Sequence, residues 1–592
     1  MRIEIVEGSD AARTLSTPAF QEAWKALHAA CAWATVCQSP EFVQTWYATY
    51  AQEYQPFLVI GHGEDDRLAG LLTLARRGAT DPVVVAGTHH AEYQVWLARS
   101  GDGDAFIEGA IDALRERCPG TALRLMYTPP GTPMDWLAPG RRFARMVTAQ
   151  RLPRALRTIG DGSEARSSLK KKATKSRLNR LRRLGTLTFR RLSDPEELAT
   201  YFDEILLYGT LRVLAVHHES EFQQDELKRE FYVRLMREHG LIHATVLEVD
   251  GRLVSAHVGV HNRDQLWLGI FTHAPALAAH SPGKLHLLML AEALAQEGIA
   301  TFDLTPSGNY KDRFATHHDE VHAVQIFLGR APRLREAVRK RLAAGVKGLA
   351  SLAGTSGPDI RERLASMQQR WRLLRPADVV RVVVGRTQRR LRQDRELRLY
   401  TVDPRSVEVS AAVNDAVRRD HLADLLTYRQ TEAQQPTRRQ FLQTALARLE
   451  EGAHVYTVVR DGVLLHYGWL LDRQERSELT EVGQTLYLPP NSAVLFDFHT
   501  RHDARRQGLF TASLRRMLGD AARIPETEQI WICVLADNAA SRRVIEAAGF
   551  RYRFSFFSVT RFGRTRRWTD APAALVTAPT GPGTTAGAPE DE

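Results

Sequence analysis

RRQGLFTASLRRML at Arg505–Leu518 and QIWICVLADNAASRRVIEAAGF at Gln529–Phe550 decide how this chain folds. A glycine turn at Gly508 opens a helix that carries Phe510, Leu514, Met517 and Leu518 on one face, as packing against a sheet requires. A short apolar strand follows, Asn538-x-x-Ser541 starts a second helix, and Gly549-Phe550 closes it. Upstream, Ala493–Thr500 reads as a strand running directly into Arg505-Arg506-Gln507-Gly508. Strand, tight turn and helix start, in that order, form a site suited to a pyrophosphate. The first backbone N–H groups of a helix lack internal partners, and the helix dipole favours negative charge there. Gly508 permits close backbone approach, and Arg505 and Arg506 add charge.

Around this core the carboxy-terminal block spans 397–569. A helix over Thr437–Leu449 turns Phe441, Leu442, Ala445, Leu446 and Leu449 to one side, and Val455–Val459 pairs with Val463–Leu471 about Asp461-Gly462. The tail, 570–592, is rich in Pro, Gly and Thr and cannot bury a core. A basic helical connector occupies 331–396, with Leu334, Val338, Leu342, Val346 and Leu349 at helical spacing among arginines and lysines.

The loop Arg505–Phe510 with Asn538, Ser541 and Gly549-Phe550 resembles the GNAT superfamily of N-acyltransferases, whose phosphate loop is Arg/Gln-x-x-Gly-x-Gly/Ala. Arg505 and Gly508 match, and Phe510 replaces the last small residue. The resemblance implies an acyl-CoA cosubstrate, acetyl-CoA first, held by Arg505, Arg506, Gln507, Gly508, Leu509, Phe510, Asn538 and Ser541. Many members place a tyrosine acid seven residues after the motif asparagine; Ile545 stands there, with Tyr552 beyond the helix. Asp497 and His499, on the strand before the loop, are candidates for the base that frees an amine of its proton. They share one face by period two, which is also the pattern of a solvated face.

Residues 1–330 read as two further α/β halves, 1–160 and 161–330. Hairpin signals at Phe57–Ile60 and Leu68–Leu74 precede a helix at Phe106–Arg117 and a strand at Ala122–Met126. In the second half a helix over Asp225–His239 leads to strands Leu241–Val249, Leu253–Val260 and Gln265–Thr272. Ser281-Pro282-Gly283-Lys284 then opens a helix ended by Gly298. The strand Ala300–Leu304 runs into TPSGNYKDRFA. Ser281–Lys284, Asp303 and Tyr310-Lys311, with QSPEFVQTWYATY and HHAEYQVWL upstream, resemble the CelD/BcsL-like acetyltransferases, relatives of the FemAB aminoacyltransferases. That likeness implies two GNAT-type halves packed as a pair. Ser281, Gly283 and Lys284 become an anion site, and Asp303, Tyr310 and Lys311 become candidate catalytic groups. Asp303 also reads as a turn cap, and Lys311 as a partner of Asp312.

The expected architecture is therefore α/β, with three GNAT-type folds. Hydrophobic residues make up 44% and charged residues 25% of the 592, as in ordinary globular protein. No apolar run spans a bilayer, Met1–Ile5 reads as a strand, and four cysteines without metal spacing fit a cytoplasmic setting. The formal charge of +11 favours anionic partners. An acid-free run from Arg166 to Arg191 concentrates it, with Leu169, Leu178, Leu181 and Leu184 forming a packed side. His217-His218 and His317-His318-x-x-x-His322 lack a metal-binding pattern and read as ordinary histidines, so no metal is expected. Nucleic-acid recognition is disfavoured, because no aromatics interleave the basic run.

These readings combine into an acyl-CoA-dependent N-acyltransferase acting on a small amine. By resemblance the acceptor is an amino sugar or an envelope polysaccharide precursor, with peripheral contact to anionic membrane through the connector. Two alternatives stand: an aminoacyl-tRNA donor, and a catalytically silent binding protein.

Overall fold

One order of elements occurs three times: strand, two or more helical segments, three antiparallel strands, helix, strand and return strand. The computed structural model describes residues 1–216, 225–262, 264–306, 308, 311–339, 341, 392–407, 416–433 and 435–576. The chain divides into two compact units, Met1–Thr210 with Glu219–Ile360 and Leu211–His218 with Arg361–Glu592. Most of the basic connector, the end of the tail, Tyr310 and His217-His218 lie outside the described residues.

In the first unit the opening half comprises β1 (Arg2–Glu7), α1 (Gly8–Ser16), α2 (Pro18–Ala30), α3 (Pro40–Thr49), β2 (Gln55–His62) and β3 (Leu68–Arg76). Short β4 (Val84–Val85) and β5 (Leu97–Ala98), then α4 (Gly103–Arg117), β6 (Ala122–Thr128) and β7 (Val147–Thr158), complete it. The second half runs through α5 (Ser163–Lys170), α6 (Lys172–Arg182), β8 (Leu187–Leu192), α7 (Pro195–Val216), α8 (Lys228–His239), β9 (Ile242–Val249) and β10 (Arg252–Val260). It continues with β11 (Gln265–Trp267), β12 (Ile270–His273), α9 (Pro282–Gln296), β13 (Thr301–Pro306) and β14 (His317–Phe327).

The halves exchange strands. In the sheet β11-β13-β7-β14-β6, the first half's β7 lies between β13 and β14 of the second, while β14 lies between β7 and β6 of the first. Residue 160 thus follows a strand of a shared sheet and does not separate two bodies. The basic run forms α5 and α6, broken at Lys171, with Leu178 and Leu181 buried; Leu184 is exposed, because the helix has already ended.

The expected strand Gln265–Thr272 is two strands in different sheets. β11 runs parallel to β13, then Gly269 at φ +50° swings the chain so that β12 pairs with β10. A Cβ at Gly269 would lie 2.4 Å from the Val258 carbonyl oxygen, so glycine is needed for the switch.

The second unit is built on eight strands in the order β16-β17-β18-β21-β22-β15-β23-β24. These are β15 (Arg392–Val402), β16 (Arg418–Arg419), β17 (His454–Arg460), β18 (Val463–Leu471), β21 (Ser492–Thr500), β22 (Gln529–Leu535), β23 (Arg551–Arg561) and β24 (Arg564–Thr569); β19 (Arg476–Leu479) and β20 (Gln484–Tyr487) form a separate hairpin. The opening strand begins at Arg392, ahead of the expected 397. Helices α10 (Arg438–Glu450), α11 (Leu509–Ala522) and α12 (Ala539–Ala547) complete the unit. One sheet face buries Tyr400 and Leu495 against Leu514, Met517 and Ile545 of α11 and α12. The other buries Leu397, Leu399 and Trp531 against Leu479 and Leu486 of the hairpin.

Candidate functional site

Two strand forks, each facing a helix N-terminus, carry the candidate sites. In the second unit, β21 and β22 run parallel and pair from Ser492↔Gln529 to Leu495↔Ile532. Beyond that point β21 leaves its neighbour and pairs only with β18. A bulge makes the departure: Gly468 alone faces Asp497 and Phe498, and Asp497 adopts φ +46°. Strand edges that diverge leave backbone amide and carbonyl groups able to pair with an extended amide-bearing ligand.

At the mouth of this fork, Arg505–Gly508 leads into α11. Arg506 and Gly508 are left-handed, at φ +65° and +76°, and Gly508 is the cap residue. Arg505, Arg506, Gln507 and Gly508 are exposed, and the first turn of α11 carries no acidic residue. The Arg505 Nε donates to the Thr500 carbonyl at 3.4 Å, and Gln507 accepts from Arg460 at 3.2 Å. Leu509 is buried. Phe510 packs edge-on against Phe498, with ring centroids 5.0 Å apart, so it fills space created by the bulge. Asn538 caps α12 by accepting from the Ser541 backbone N–H at 3.2 Å.

Asp497 forms an ion pair with Arg448. Its neighbour His499 lies 3.5 Å from Gln435 and stacks on Tyr467, at 5.3 Å between centroids, in a narrow cleft that also includes Tyr428. Burial holds His499 below the ordinary imidazole range, although Asp497 pulls the other way. The neutral ring suits a proton acceptor. Ile545, where a tyrosine acid was sought, is in the core, and Tyr552 is half exposed and bonded to Ser555 at 3.0 Å.

The first unit repeats the device. β11 and β13 pair in parallel up to Trp267↔Asp303, and β12 then departs. Ser281, left-handed at φ +53°, precedes α9, whose first turn is also free of acid; Gly283 is half-buried and Lys284 exposed. Asp303 is fully buried where the fork opens. Its carboxylate accepts from Tyr93 Oη at 2.6 Å, the Thr305 N–H at 2.8 Å, Arg154 at 3.1 Å and Gln265 at 3.4 Å. Burial raises its pKa, against the Arg154 charge. Arg154 also binds Asp319.

Lys311 donates to Thr305 Oγ1 at 2.8 Å and lies 3.3 and 3.4 Å from the Thr305 and Pro306 carbonyls, clamping a bend in which Thr305 is left-handed at φ +61°. Its pKa is lowered by burial. Glu92 faces this ammonium, its carboxyl pushed up to about 7 by burial against the attraction of Lys311. Sequence reasoning did not single out Glu92 or Arg154; Glu92 stands beside Tyr93, and Arg154 is one of three arginines in β7, so neither carries a local signal of its own. At the opening half's equivalent helix, α4, Asp102 stands at the cap position without making a side-chain cap bond and Asp104 occupies the first turn, so that N-terminus repels anions.

Acetyltransferase (GNAT) domain families match residues 168–314 and, separately, 415–551. Both matched segments are GNAT-type acetyltransferase domains. The matched segments contain both forks, and the paired halves implied by the FemAB-related resemblance are present. No curated protein matches the chain. Among solved structures it is similar to FemX (9% identity, 54% of this chain and 98% of that one, TM-score 0.37). It is also similar to L-PGS from Bacillus licheniformis (12%, 55% and 96%, TM-score 0.34). A tandem GNAT protein from the clavulanic acid biosynthesis pathway is a third (14%, 55% and 98%, TM-score 0.31). Among the described residues no helix is long and apolar enough to cross a membrane.

Proposed function

We propose that this GNAT-superfamily chain is an acyl-CoA-dependent N-acyltransferase whose carboxy-terminal unit holds the donor. The observation that carries the reading is the fork between β21 and β22 opening onto the acid-free, glycine-capped start of α11. Pyrophosphate would rest on that helix start with Arg505 and Arg506 beside it, and the pantetheine arm would pair along the diverging strand edges. Neutral His499 takes the proton from an amine. The nitrogen attacks the thioester carbonyl, the C–N bond forms, the C–S bond breaks, and the CoA thiolate leaves to be protonated by solvent. The acceptor is a small amine, and the CelD-like resemblance of Ser281–Lys311 supports an amino sugar or an envelope polysaccharide precursor.

Calorimetry with acetyl-CoA tests the donor. Wild type should bind, Gly508→Glu should not, and Gly283→Glu reports whether the α9 fork binds too. A Cβ at Gly283 comes no nearer than 3.4 Å to the Phe271 ring; one at Gly508 has no atom within 4 Å, but φ +76° strains any residue other than glycine there, so Gly508→Glu is read only after thermal unfolding shows it folded. No binding by wild type refutes the reading.

A second reading, with aminoacyl-tRNA as donor, is favoured by a cationic groove of about 580 Å³ in the first unit, lined by Lys170, Lys172, Lys175, Arg180 and Arg183. Acetyl-CoA binding without CoA release across a panel of amines would instead favour a silent binding protein, as the buried Ile545 allows.

A further inference from the structure

Adjacent residues on a turn ordinarily send their side chains apart, yet His89 and His90 converge. Gly87 at φ +90° and Thr88 at φ +42° precede them, and a left-handed β-branched residue is a strained arrangement. The two imidazole rings lie 4.1 Å apart between centroids. Both Nε2 atoms reach the same oxygen of Asp225, at 3.1 Å from His89 and 2.6 Å from His90. His90 is buried, whereas His89 remains about one-fifth exposed at its side chain and leaves a route to solvent.

We propose that His89, His90 and Asp225 form a divalent transition-metal site of the zinc class, independent of the acyl-CoA reading. Two imidazole nitrogens and one carboxylate oxygen, all within 4.8 Å of one another, are the three-ligand set that leaves a fourth tetrahedral position for water. One neighbour holds the carboxylate as an outer partner does: the Leu227 N–H donates to the other Asp225 oxygen at 3.0 Å. Tyr50 Oη instead lies 2.7 Å from the shared Asp225 oxygen and 2.8 Å from His90 Nε2, the atoms that would take the ion, so its hydroxyl turns aside when the ion binds. Lys228, buried one residue beyond Leu227, is the competing cation. The ion would tie the turn after β4 to the start of α8. That turn leads directly into Glu92 and Tyr93, so the clamp would fix the segment that reaches Asp303.

The test is equilibrium dialysis of the full-length protein against Zn²⁺ with elemental analysis, and visible absorption on loading with Co²⁺. One equivalent should bind with a tetrahedral Co²⁺ spectrum. Asp225→Asn and His89→Gln should each weaken binding by more than about 100-fold, whereas Tyr50→Phe, which removes a hydroxyl competing for the ligand atoms, should not weaken it. Lys228→Met should tighten it, an effect that a hydrogen-bonded histidine pair without an ion would not show. Substoichiometric zinc in wild type, or unchanged affinity in folded His89→Gln, overturns the proposal. Should the variants fail to fold, X-ray absorption of zinc-loaded wild type decides, and a shell without two imidazole nitrogens also overturns it.

Discussion

Replacing Arg154 by methionine isolates what the buried carboxylate of Asp303 requires. The guanidinium lies 3.1 Å from Asp303 and holds Asp319 as well, and its carbon sits 5.5 Å from the Tyr93 ring centroid. Methionine fills much of the volume but removes the only cation in direct contact with Asp303 among the described residues. Asp319 is about one-third exposed and can turn to water; the Asp303 side chain is 0% exposed and cannot. Breaking a buried pair in this way costs about 3–5 kcal/mol.

The pH dependence gives the sharper signature. Without Arg154 the folded-state pKa of Asp303 rises further above the unfolded value of about 3.9. The folded state then holds a proton that the unfolded state has released, so stability falls as pH rises between the two values, by up to about 1.4 kcal/mol per unit. Urea unfolding should therefore show a larger deficit for Arg154→Met at pH 7 than at pH 5. Adding Asp303→Asn should recover most of the loss, leaving about 1–2 kcal/mol for altered hydrogen bonds. A deficit below about 1 kcal/mol, or one equal at both pH values, refutes the assignment of Asp303 as a buried charge dependent on Arg154.

Other perturbations address the second unit. His454 lies 2.7 Å from Asp420 and 3.5 Å from Asp472, which together raise its pKa to about 9 despite the opposing effect of burial. Its stabilisation is complete below about pH 6.5 and is lost as pH rises through about 9; after screening at the half-exposed carboxylates the loss should be about 1–2 kcal/mol, absent in His454→Asn, by urea titration at pH 7 and pH 10. His499→Gln should reduce kcat by about 10²–10⁴-fold with acetyl-CoA affinity unchanged in calorimetry. The wild-type rate should rise with pH through a value below the ordinary imidazole range and then level off. Ile545→Tyr should not restore an acid: overpacking the core should cost about 1–3 kcal/mol in thermal or urea unfolding, with no gain in rate.

What could be read from the chain was local. Gly508 and Asn538 mark helix starts by turn and capping chemistry that needs no tertiary context, and each stands where expected; Ser281 also stands at a helix start, but its hydroxyl makes no cap bond. What escaped was non-local. The strand exchange joins β6 to β14 and β7 to β13 across more than a hundred residues, and no periodicity encodes a partner. Gly269 sits in an otherwise apolar run and looked like a strand interior, although its backbone conformation moves the chain between sheets. The bulge at Asp497 likewise has no composition signal. Arg154 and Glu92 resemble any other charged residues until Asp303 and Lys311 are brought against them.

The three helix starts also separate on physical grounds. Each half or unit presents a helix behind its third central strand, but the charge at that helix start differs. Asp102 and Asp104 oppose an anion at α4, whereas α9 and α11 begin without acid. At the α9 fork, the Asp303 carboxylate is already taken up by Tyr93, Arg154, Thr305 and Gln265, and Lys311 is satisfied by the bend it clamps. Such groups rigidify the fork and would have to break good hydrogen bonds to move a proton. At the α11 fork His499, on β21 past the bulge, is held neutral with one long contact to Gln435. A proton acceptor must be neutral and free to accept, and the α11 fork meets that requirement with fewer bonds to break. The asymmetry makes His499→Gln, rather than Asp303→Asn, the substitution expected to separate rate from folding.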